Sequence, residues 1–484
     1  MKEQAARAVL LIVNEEAHVR ELARVAAALS ETPDLRPVVF MEERMDGLRR
    51  PAHFTDRGVE VLTYAELATG ETMQPRPFGA AYHRRAIART LGSSYLARRM
   101  PGRVRNRLGL FGFSDAEAIR TVREAMLRRA CVAERLLSSR DWASIVLCED
   151  NVELDTAVWV SVARSRGVRC IIVPYTIANT REFAESYVNF APYQVAASPQ
   201  NRLAARWFPR WEKKYKGRRF LRTSYVRILA VEQLGLAPPN PWLLNSGYAH
   251  AIAVESQAMR DYYAAAGIPA AQMSITGSLA DDVQAAAMAA APGLRAELEA
   301  RLALAPGRPI LLCALPPDQN TYDRPGCEFS DFDDLVTFWS TRLGALEGWN
   351  VVVRPHPKTR PDQLGALSAS GVAVCHDDTA TLVPLCDLYV ASVSATIRWA
   401  IACAKPVINY DVYRYGYDDY LGTEGVLLAE TRAEFEALLD RMTRDTAQRE
   451  QVVRAQRRDA PRWGMLDGHS GNRIVALLRG GQNC

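Results

Sequence analysis

The sequence predicts an α/β protein built from two doubly wound, parallel-sheet domains that face a cleft. The chain has 484 residues, which is more than one ordinary hydrophobic core accommodates. Short apolar segments alternate along it with segments of helical periodicity. Because these apolar segments are continuous, they are typical of parallel strands that are buried on both faces. The alternation occurs in two series, which predicts two sheets.

The first series opens with the apolar run 8–13, and apolar residues then recur at helical spacing from Leu22 to Leu29. Further strands of the same type are predicted at residues 37–41, 59–62, 144–147, 168–173, 251–254 and 274–277. An arginine-rich stretch interrupts the alternation and indicates a basic helical insert at about residues 72–140. We therefore assign residues 1–280 to an N-terminal domain that carries this insert.

The second series follows an alanine-rich stretch, residues 281–309, that predicts a linker and one helix. Its strands are predicted at residues 310–312, 351–353, 372–374, 388–390 and 407–409. The final residues are highly charged and have helical periodicity. These patterns assign residues 281–440 to a C-terminal domain and residues 441–484 to a helical tail that packs back on the protein.

The net charge of +5 conceals two basic segments on an otherwise acidic chain. Residues 72–114 contain nine arginines and no acid, and residues 206–222 contain eight basic residues, five aromatic residues and one acid. Cations interleaved with aromatic side chains are typical of a surface that binds the anionic inner leaflet of a membrane. The alternative is a solvated segment whose aromatic residues pack inward. Pro209 and Gly217 favour a helix and a loop here over one long helix.

Cysteine usage and hydropathy restrict the compartment. The nine cysteines form no CxxC pair and no cluster with histidine. This is typical of buried thiols in a reducing compartment and gives no sign of a metal site. The N-terminus lacks the apolar stretch of a signal peptide, and no segment reaches the roughly 20 apolar residues of a membrane span. We therefore expect a cytoplasmic protein that binds the inner face of the inner membrane peripherally and requires no metal or other cofactor.

Candidate binding residues follow the predicted strands, because open parallel sheets bind ligands beyond the carboxyl ends of their strands. After the strand 351–353 the chain continues Arg354-Pro355-His356-Pro357-Lys358. The two prolines hold an imidazole and two cations in a rigid loop, which suits a phosphate or a ribose hydroxyl. A rigid turn with solvated charges is the alternative.

A loop of small residues, Ser392-Val393-Ser394-Ala395-Thr396, follows the strand 388–390 and precedes a predicted helix. Hydroxyl and backbone N–H groups at a helix start bind phosphate, and the helix dipole assists them. Simple N-capping of the helix is the alternative. Together with the histidine loop, this hydroxyl loop predicts a phosphate-binding site.

Polar residues also follow two predicted strands of the first domain. Glu149 and Asp150 come after the strand 144–147, where a carboxylate can act as a general base. Capping of the next helix is the alternative, and Asp155 is also available for that role. The loop after the first strand adds His18, which would otherwise be a residue of the helix surface.

Several motifs occur in an order that resembles a known family. They are HVREL at 18–22, the Glu149-Asp150 pair, Glu255-Ser256, ITGS at 275–278 with Asp282, RPHP at 354–357 and SVSATIRWAIACAKPVINYD at 392–411. In this order they resemble the GT-B nucleotide-sugar transferases of bacterial capsule and lipopolysaccharide synthesis. The resemblance is strongest to the branch that uses CMP-activated sugars of the sialic acid and Kdo type.

The resemblance implies a GT-B fold of two Rossmann-like domains, with the acceptor on the N-terminal domain and the nucleotide-sugar donor on the C-terminal domain. The acceptor would be a glycan or a lipid-linked glycan. The motifs imply that Asp150 is the catalytic acidic residue, and Glu149 and His18 are further candidates. Asn151 stands where the family has glycine. The resemblance assigns His356 and Pro357 to an HP motif and Ser394 and Thr396 to a Ser/Thr motif. With the other residues of the two loops and of the ITGS segment, the candidate nucleotide-binding residues are Arg354, His356, Pro357, Lys358, Ser392, Ser394, Ala395, Thr396 and Gly277.

Two related enzyme classes share the ITGS and HP signals, namely UDP-GlcNAc 2-epimerases and CDP-glycerol-type polyol-phosphate transferases. An epimerase needs no lipid-proximal acceptor and would leave the two basic segments unexplained. A nucleic-acid-binding protein is a third alternative. The sequence contains no RRM, KH or zinc-finger pattern, so we expect no nucleic-acid partner.

Overall fold

The computed structural model describes residues 6–68, 113–177, 179, 181–247, 249–319, 322 and 324–480. The chain forms two compact units. The first contains Met1–Val254, Asp261–Ser274 and Ile474–Cys484, and the second contains Glu255–Arg260 and Ile275–Arg473. Compared with the predicted domains, residues 255–260, 275–280 and 441–473 belong to the second unit, and only the end of the predicted tail belongs to the first.

The first unit is built on a seven-stranded sheet with the order β3-β2-β1-β4-β5-β8-β9, and β6 and β7 form a separate hairpin. The strands are β1 Arg7–Val13, β2 Leu35–Met41, β3 Glu60–Thr63, β4 Trp142–Leu147, β5 Arg169–Ile172, β6 Glu212–Tyr215, β7 Arg218–Leu221, β8 Ala251–Val254 and β9 Met273–Ile275. Every strand predicted in this part of the chain is confirmed. β1 and β4 are parallel and buried along almost their whole length, as their continuous apolar sequences predict.

Helices connect these strands. They are α1 His18–Ser30, α2 Ala52–Thr55, α3 Tyr64–Ala68, α4 Phe113–Ser138, α5 Thr156–Ser165, α6 Glu182–Tyr187, α7 Pro199–Trp207, α8 Tyr225–Leu234 and α9 Gln257–Ala265. The predicted basic insert at 72–140 is helical in its second half, where α4 lies. The arginine-rich part, up to residue 112, lies outside the described residues.

The second unit is built on a six-stranded sheet with the order β12-β11-β10-β13-β14-β15, and its strand pairs are parallel. The strands are β10 Ile310–Ala314, β11 Asn350–Arg354, β12 Ala373–Val374, β13 Leu388–Ala391, β14 Val407–Tyr410 and β15 Val426–Ala429. The first five confirm the predicted strands, and β15 was not predicted. Trp339 stacks on Tyr410 and Phe435 in the core beside this sheet.

The remaining helices are α10 Leu279–Ala289, α11 Ala291–Arg301, α12 Phe332–Gly344, α13 Gly365–Ala369, α14 Thr379–Leu382, α15 Ile397–Ala402, α16 Arg432–Arg444, α17 Thr446–Trp463 and α18 Ser470–Arg479. The prediction of a linker and one helix at 281–309 is wrong, because α10 and α11 follow each other directly. A capping box between Ser278 and Asp281 starts α10, and Pro292 lies in the first turn of α11, where its missing N–H costs nothing.

The basic segment 206–222 is not the helix and loop that the sequence suggested. Its second half is the antiparallel hairpin β6–β7, with Lys213 paired to Phe220 and Tyr215 to Arg218. Lys216 and Gly217 connect the two strands with positive φ angles of 46° and 73°. Two consecutive left-handed residues form the two-residue turn whose twist matches that of a hairpin. Gly217 therefore connects β6 to β7 and does not end a helix.

Candidate active site

In the second unit, two polar loops leave the carboxyl ends of strands on either side of β10. β10 opens the sheet in sequence but lies in its middle, between β11 and β13. The strand order therefore reverses at β10, and such a switch point is where open parallel sheets bind ligands. The histidine loop 354–358 follows β11, and the hydroxyl loop 392–396 follows β13.

The hydroxyl loop holds its side chains together. Ser394 Oγ lies 2.7 Å from Thr396 Oγ1 and accepts the Thr396 N–H at 3.3 Å. The Tyr389 phenol, on β13, also forms a hydrogen bond with Thr396 Oγ1. Thr396 stands at the N-cap of α15, yet its side chain makes no capping hydrogen bond. Because α15 has only six residues, its dipole contributes little, and the hydroxyl and backbone N–H groups are the candidate phosphate ligands.

The backbone of the hydroxyl loop is strained at Val393. This β-branched residue has a φ angle of 46°, a left-handed conformation that costs about 1–3 kcal/mol. The Val393 N–H donates to Asn409 Oδ1 at 2.9 Å. The carbonyl of the following residue, Ser394, accepts from the Tyr420 hydroxyl at 3.0 Å. The buried Ser392 Oγ has no hydrogen-bond partner among the described residues. Strain together with an unsatisfied hydroxyl is typical of a ligand-binding loop.

Burial determines the protonation state of the histidine loop. Burial, which is the largest cause, and the neighbouring charges of Lys358 and Arg354 together lower the pKa of His356 from 6.5 to about 4. The Lys358 N–H donates to His356 Nδ1 at 3.2 Å, so the neutral ring carries its proton on Nε2. His356 can therefore donate a hydrogen bond to a phosphate or hydroxyl oxygen without being charged. Arg354 is buried and donates to the Asp377 carbonyl at 3.3 Å, whereas Pro357 and Lys358 are exposed.

The surroundings of Gly277 explain its identity without a ligand. Its φ angle is 77°, and a Cβ atom there would lie 2.2 Å from Ser470 Oγ. A buried ion pair that was not predicted from the sequence joins Arg398 and Asp281 nearby, with its atoms 3.0 Å apart. Arg398 also donates to Ser278 Oγ at 2.9 Å, so the start of α15 is joined to the ITGS segment.

In the first unit, the acidic pair and His18 lie at the corresponding switch point. β1 and β4 are neighbours there, and Asn14 follows the first as Cys148 follows the second. The His18 side chain is fully buried, with Nε2 3.6 Å from Glu149 Oε1 and the ring edge-on to Tyr175. Neither ring nitrogen has a hydrogen-bond partner among the described residues, and Asn14 Oδ1 is in the same situation. His18 is therefore a buried residue and not one of the helix surface.

Asp150 is held from its main chain and from its side chain. Its N–H donates to Asn245 Oδ1 at 2.8 Å, and its carbonyl accepts the Asn245 N–H at 3.0 Å. Oδ1 accepts from Thr156 Oγ1 at 2.8 Å, and a Cβ atom at Gly247 would lie 1.6 Å from Oδ2. The carboxylate is thus packed against a backbone that only glycine allows.

The backbone at Asn151 does not require the glycine that the family pattern has there. Its φ angle is −131°, which is extended backbone open to any residue, and its Oδ1 accepts the Glu153 N–H at 3.0 Å. Asp155 does not cap α5 with its side chain, although it stands at the N-cap, and it forms ion pairs with Arg129 and Arg227 instead. Asp155 therefore does not act as the side-chain cap of α5.

In the part of the chain that the structure describes, no three histidine, cysteine, aspartate or glutamate side chains group in a way that could hold a metal ion. None of the helices in this part is both long enough and apolar enough to span a bilayer.

The chain matches no family model and no curated protein sequence. Solved structures resemble it over nearly its whole length. The UDP-GlcNAc 2-epimerase of Neisseria meningitidis bound to UDP-GlcNAc is 10% identical, with 97% of this chain and 99% of that chain covered and a TM-score of 0.53. CalG4, the calicheamicin glycosyltransferase, is 12% identical, with 99% and 98% covered and a TM-score of 0.51. A variant of the wall teichoic acid polymerase TagF is 9% identical, with 99% and 89% covered and a TM-score of 0.52. At these identities the similarity concerns the fold, and the fold is GT-B.

The lowered pKa of His356 predicts a pH-dependent loss of stability. Between pH 6.5 and pH 4 the unfolded chain binds a proton at this residue while the folded chain does not, so stability falls as the pH falls through this window. Above pH 6.5 His356 does not contribute to the pH dependence of stability. In thermal unfolding, the melting temperature of His356→Gln should therefore fall less between pH 6.5 and pH 4 than the melting temperature of the wild type. His53→Gln, at an exposed histidine, is the control and should follow the wild type. Parallel curves for the wild type and His356→Gln would contradict the assignment.

Proposed function

We propose that this chain is a GT-B glycosyltransferase that moves a sugar from a nucleotide donor to a glycan acceptor. One observation carries the proposal: both groups of candidate residues lie at the switch points of the two sheets. Hydroxyl groups and a neutral imidazole lie at one switch point, and carboxylates lie at the other. The first group suits an anionic diphosphate or monophosphate, and the second suits a hydroxyl that must lose a proton.

On this proposal, the donor phosphate accepts hydrogen bonds from Ser394, Thr396 and the Nε2–H of His356. Arg354 is oriented by its bond to the Asp377 carbonyl and contributes positive charge nearby. The strained Val393 backbone exposes its hydroxyl neighbours in one fixed arrangement, which reduces the entropy lost on binding. Lys358, which is exposed, can approach the nucleotide only as a flexible cation.

In the proposed transfer step, Asp150 acts as the general base. The acceptor oxygen forms a bond to the anomeric carbon while its proton passes to the Asp150 carboxylate. The bond from the anomeric carbon to the phosphate oxygen breaks, and its electron pair leaves with the nucleotide. Glu149 is the second candidate base, and the adjacent His18 is a buried neighbour of that carboxylate. We propose that the reaction requires no metal cofactor.

For the donor we propose a CMP-activated sugar of the sialic acid or Kdo type, on the resemblance of the RPHP and SVSAT segments, and for the acceptor a bacterial capsule or lipopolysaccharide glycan. Two alternatives follow from proteins of similar fold. The epimerase fold neighbours fit the chain equally well, which keeps a UDP-GlcNAc 2-epimerase open. TagF keeps a polyol-phosphate transferase open.

We also propose that the segment 206–222 contacts the anionic inner leaflet at a smaller surface than its sequence suggested. Arg222 is fully buried, and Arg210, Lys216 and Arg219 form ion pairs with acids. Trp211 and Phe220 are also fully buried. Among the described residues, Arg206, Lys214 and Arg218 are exposed with no acidic partner, and Trp207 is 38% exposed. These four side chains form the proposed membrane patch.

A nucleotide panel tests the donor site. In calorimetry against CMP, UDP, CDP and GDP we expect the tightest binding for CMP. Ser394→Ala and His356→Ala should each weaken that binding by about 1–3 kcal/mol, because each removes one hydrogen bond to the nucleotide. Thr341→Val, an exposed hydroxyl on α12, is the control and should bind as the wild type does. Tightest binding of UDP with conversion of UDP-GlcNAc in the absence of any acceptor would favour the epimerase. Tightest binding of CDP with turnover of CDP-glycerol would favour the polyol-phosphate transferase.

Substitution of the candidate base tests the chemistry. Asp150→Asn keeps the shape of the side chain and removes the base, so turnover should fall by about 100-fold or more. Nucleotide affinity should remain near the wild-type value, because the proposed donor residues belong to the second unit. A mild effect of Asp150→Asn with a severe effect of Glu149→Gln would transfer the role to Glu149. Mild effects of both would make the acidic pair structural.

Liposome flotation tests the membrane patch. A variant with Arg206, Lys214 and Arg218 changed to Gln should lose salt-sensitive binding to anionic vesicles, since each cation contributes about 1 kcal/mol near such a surface. The control changes Arg454, Arg457 and Arg458 on α17, which are also exposed, and should float as the wild type does. Equal flotation of both variants, or no flotation of the wild type, would contradict the proposal.

A further inference from the structure

Three largely buried arginines from outside the loop converge on the short loop that follows the acidic pair, and the more exposed Arg44 also donates to it. The loop is Asn151–Asp155, between Asp150 and the start of α5. Arg129 comes from α4, Arg222 follows β7, and Arg227 comes from the first turn of α8. Such convergence on five residues is more than a solvated loop requires.

Arg129 and Arg227 hold the far end of the loop. Arg227 donates to the Val152 carbonyl through Nε at 3.1 Å and Nη2 at 2.6 Å, and it pairs with Asp155 Oδ1. Arg129 reaches the other oxygen of the same carboxylate at 2.6 Å, and it also pairs with the buried Glu42 at 3.0 Å. Asp155 thus joins two guanidinium groups, and this explains how its backbone stays at a φ angle of 55°.

Arg222 holds the near end of the loop. Its guanidinium is fully buried and pairs with Glu153 at 2.6 Å, lies 3.4 Å from Asn151 Oδ1 and stacks 3.5 Å above the ring centre of Phe183. It also donates to the Pro241 carbonyl at 3.0 Å. A buried cation is tolerated only when its hydrogen bonds are satisfied, so these partners leave the loop little freedom to move.

Thr156 connects the loop to the candidate base. Its Oγ1 accepts the Asn151 N–H at 2.8 Å and donates to Asp150 Oδ1 at the same distance. The hydroxyl is fully buried at the start of α5, immediately after the residue that Arg129 and Arg227 hold. A shift of the loop would therefore move the hydroxyl that orients the carboxylate.

We infer that Thr156, Arg129, Arg222 and Arg227 are positioning residues that fix the direction of the Asp150 carboxylate through the loop Asn151–Asp155. The inference rests on the proposed function, because it assumes that Asp150 acts on the acceptor. Displacement of a reacting group by about 1 Å can cost a hundredfold in rate. The rate of the chemical step should therefore depend on residues that contact no substrate.

The first test compares two substitutions of Thr156. Thr156→Val keeps the volume of the side chain and removes the hydroxyl, so kcat should fall by about tenfold to a hundredfold. The donor KM should change little, and the melting temperature should fall only modestly, because the Asn151 N–H loses its acceptor while the side-chain volume is kept. Thr156→Ser keeps the hydroxyl and should restore kcat to within about threefold of the wild type. Wild-type kcat in Thr156→Val, or a loss that Thr156→Ser does not restore, would overturn the inference.

The second test does not depend on activity. Arg227→Gln should increase hydrogen–deuterium exchange in residues 148–158 several-fold. The control is Arg140→Gln, since Arg140 also makes a two-pronged pair, with Glu60 at 2.7 and 2.8 Å, but it precedes β4 whereas the loop follows that strand. Equal exchange of residues 148–158 in both variants would overturn the inference. A wild type that turns over no nucleotide sugar would refute the proposed function, whereas the exchange result would still decide whether the arginines hold the loop.

Discussion

Parallel strands cannot be joined by tight turns, and this constraint places every candidate functional residue. Each strand must be followed by a crossover, so the carboxyl ends of all strands in one sheet face the same edge. In both sheets the first strand lies in the middle, with the second on one side and the fourth on the other. The crossovers diverge at that point, and polar side chains collect there because the apolar strands exclude them from the sheet itself.

Desolvation then determines what those polar side chains can do. His356 is partly buried beside two cations, so its neutral form dominates at neutral pH and the ring acts as a hydrogen-bond donor. Burial also raises the pKa of the Cys148 thiol well above its usual value, which makes this neighbour of the acidic pair inert. The Arg222 guanidinium is tolerated in a fully buried position because the Glu153 carboxylate, a carbonyl and an aromatic ring surround it.

The same principle changes the interpretation of the basic segment 206–222. In the sequence its eight cations outnumber its single acid. In the structure, Glu185, Glu212 and Glu232 neutralise three of them, and Lys213 lies over the ring of Trp242. Two of these three acids lie outside the segment, so counting charges along the segment overestimates the field that a membrane would experience.

The sequence alone determined the strands of the two parallel sheets except β15, and the edge at which the polar loops lie, because both depend on local hydrophobic periodicity. It located the histidine loop after β11, the hydroxyl loop after β13 and the acidic pair after β4. Only the tertiary structure decided which partners these residues have. Asn245 and Gly247 reach Asp150 from more than ninety positions away, Asn409 holds Val393, and the hairpin depends on a turn at Lys216 and Gly217. Such contacts are set by how the crossovers pack in space, and hydrophobic periodicity along the chain carries no information about that packing.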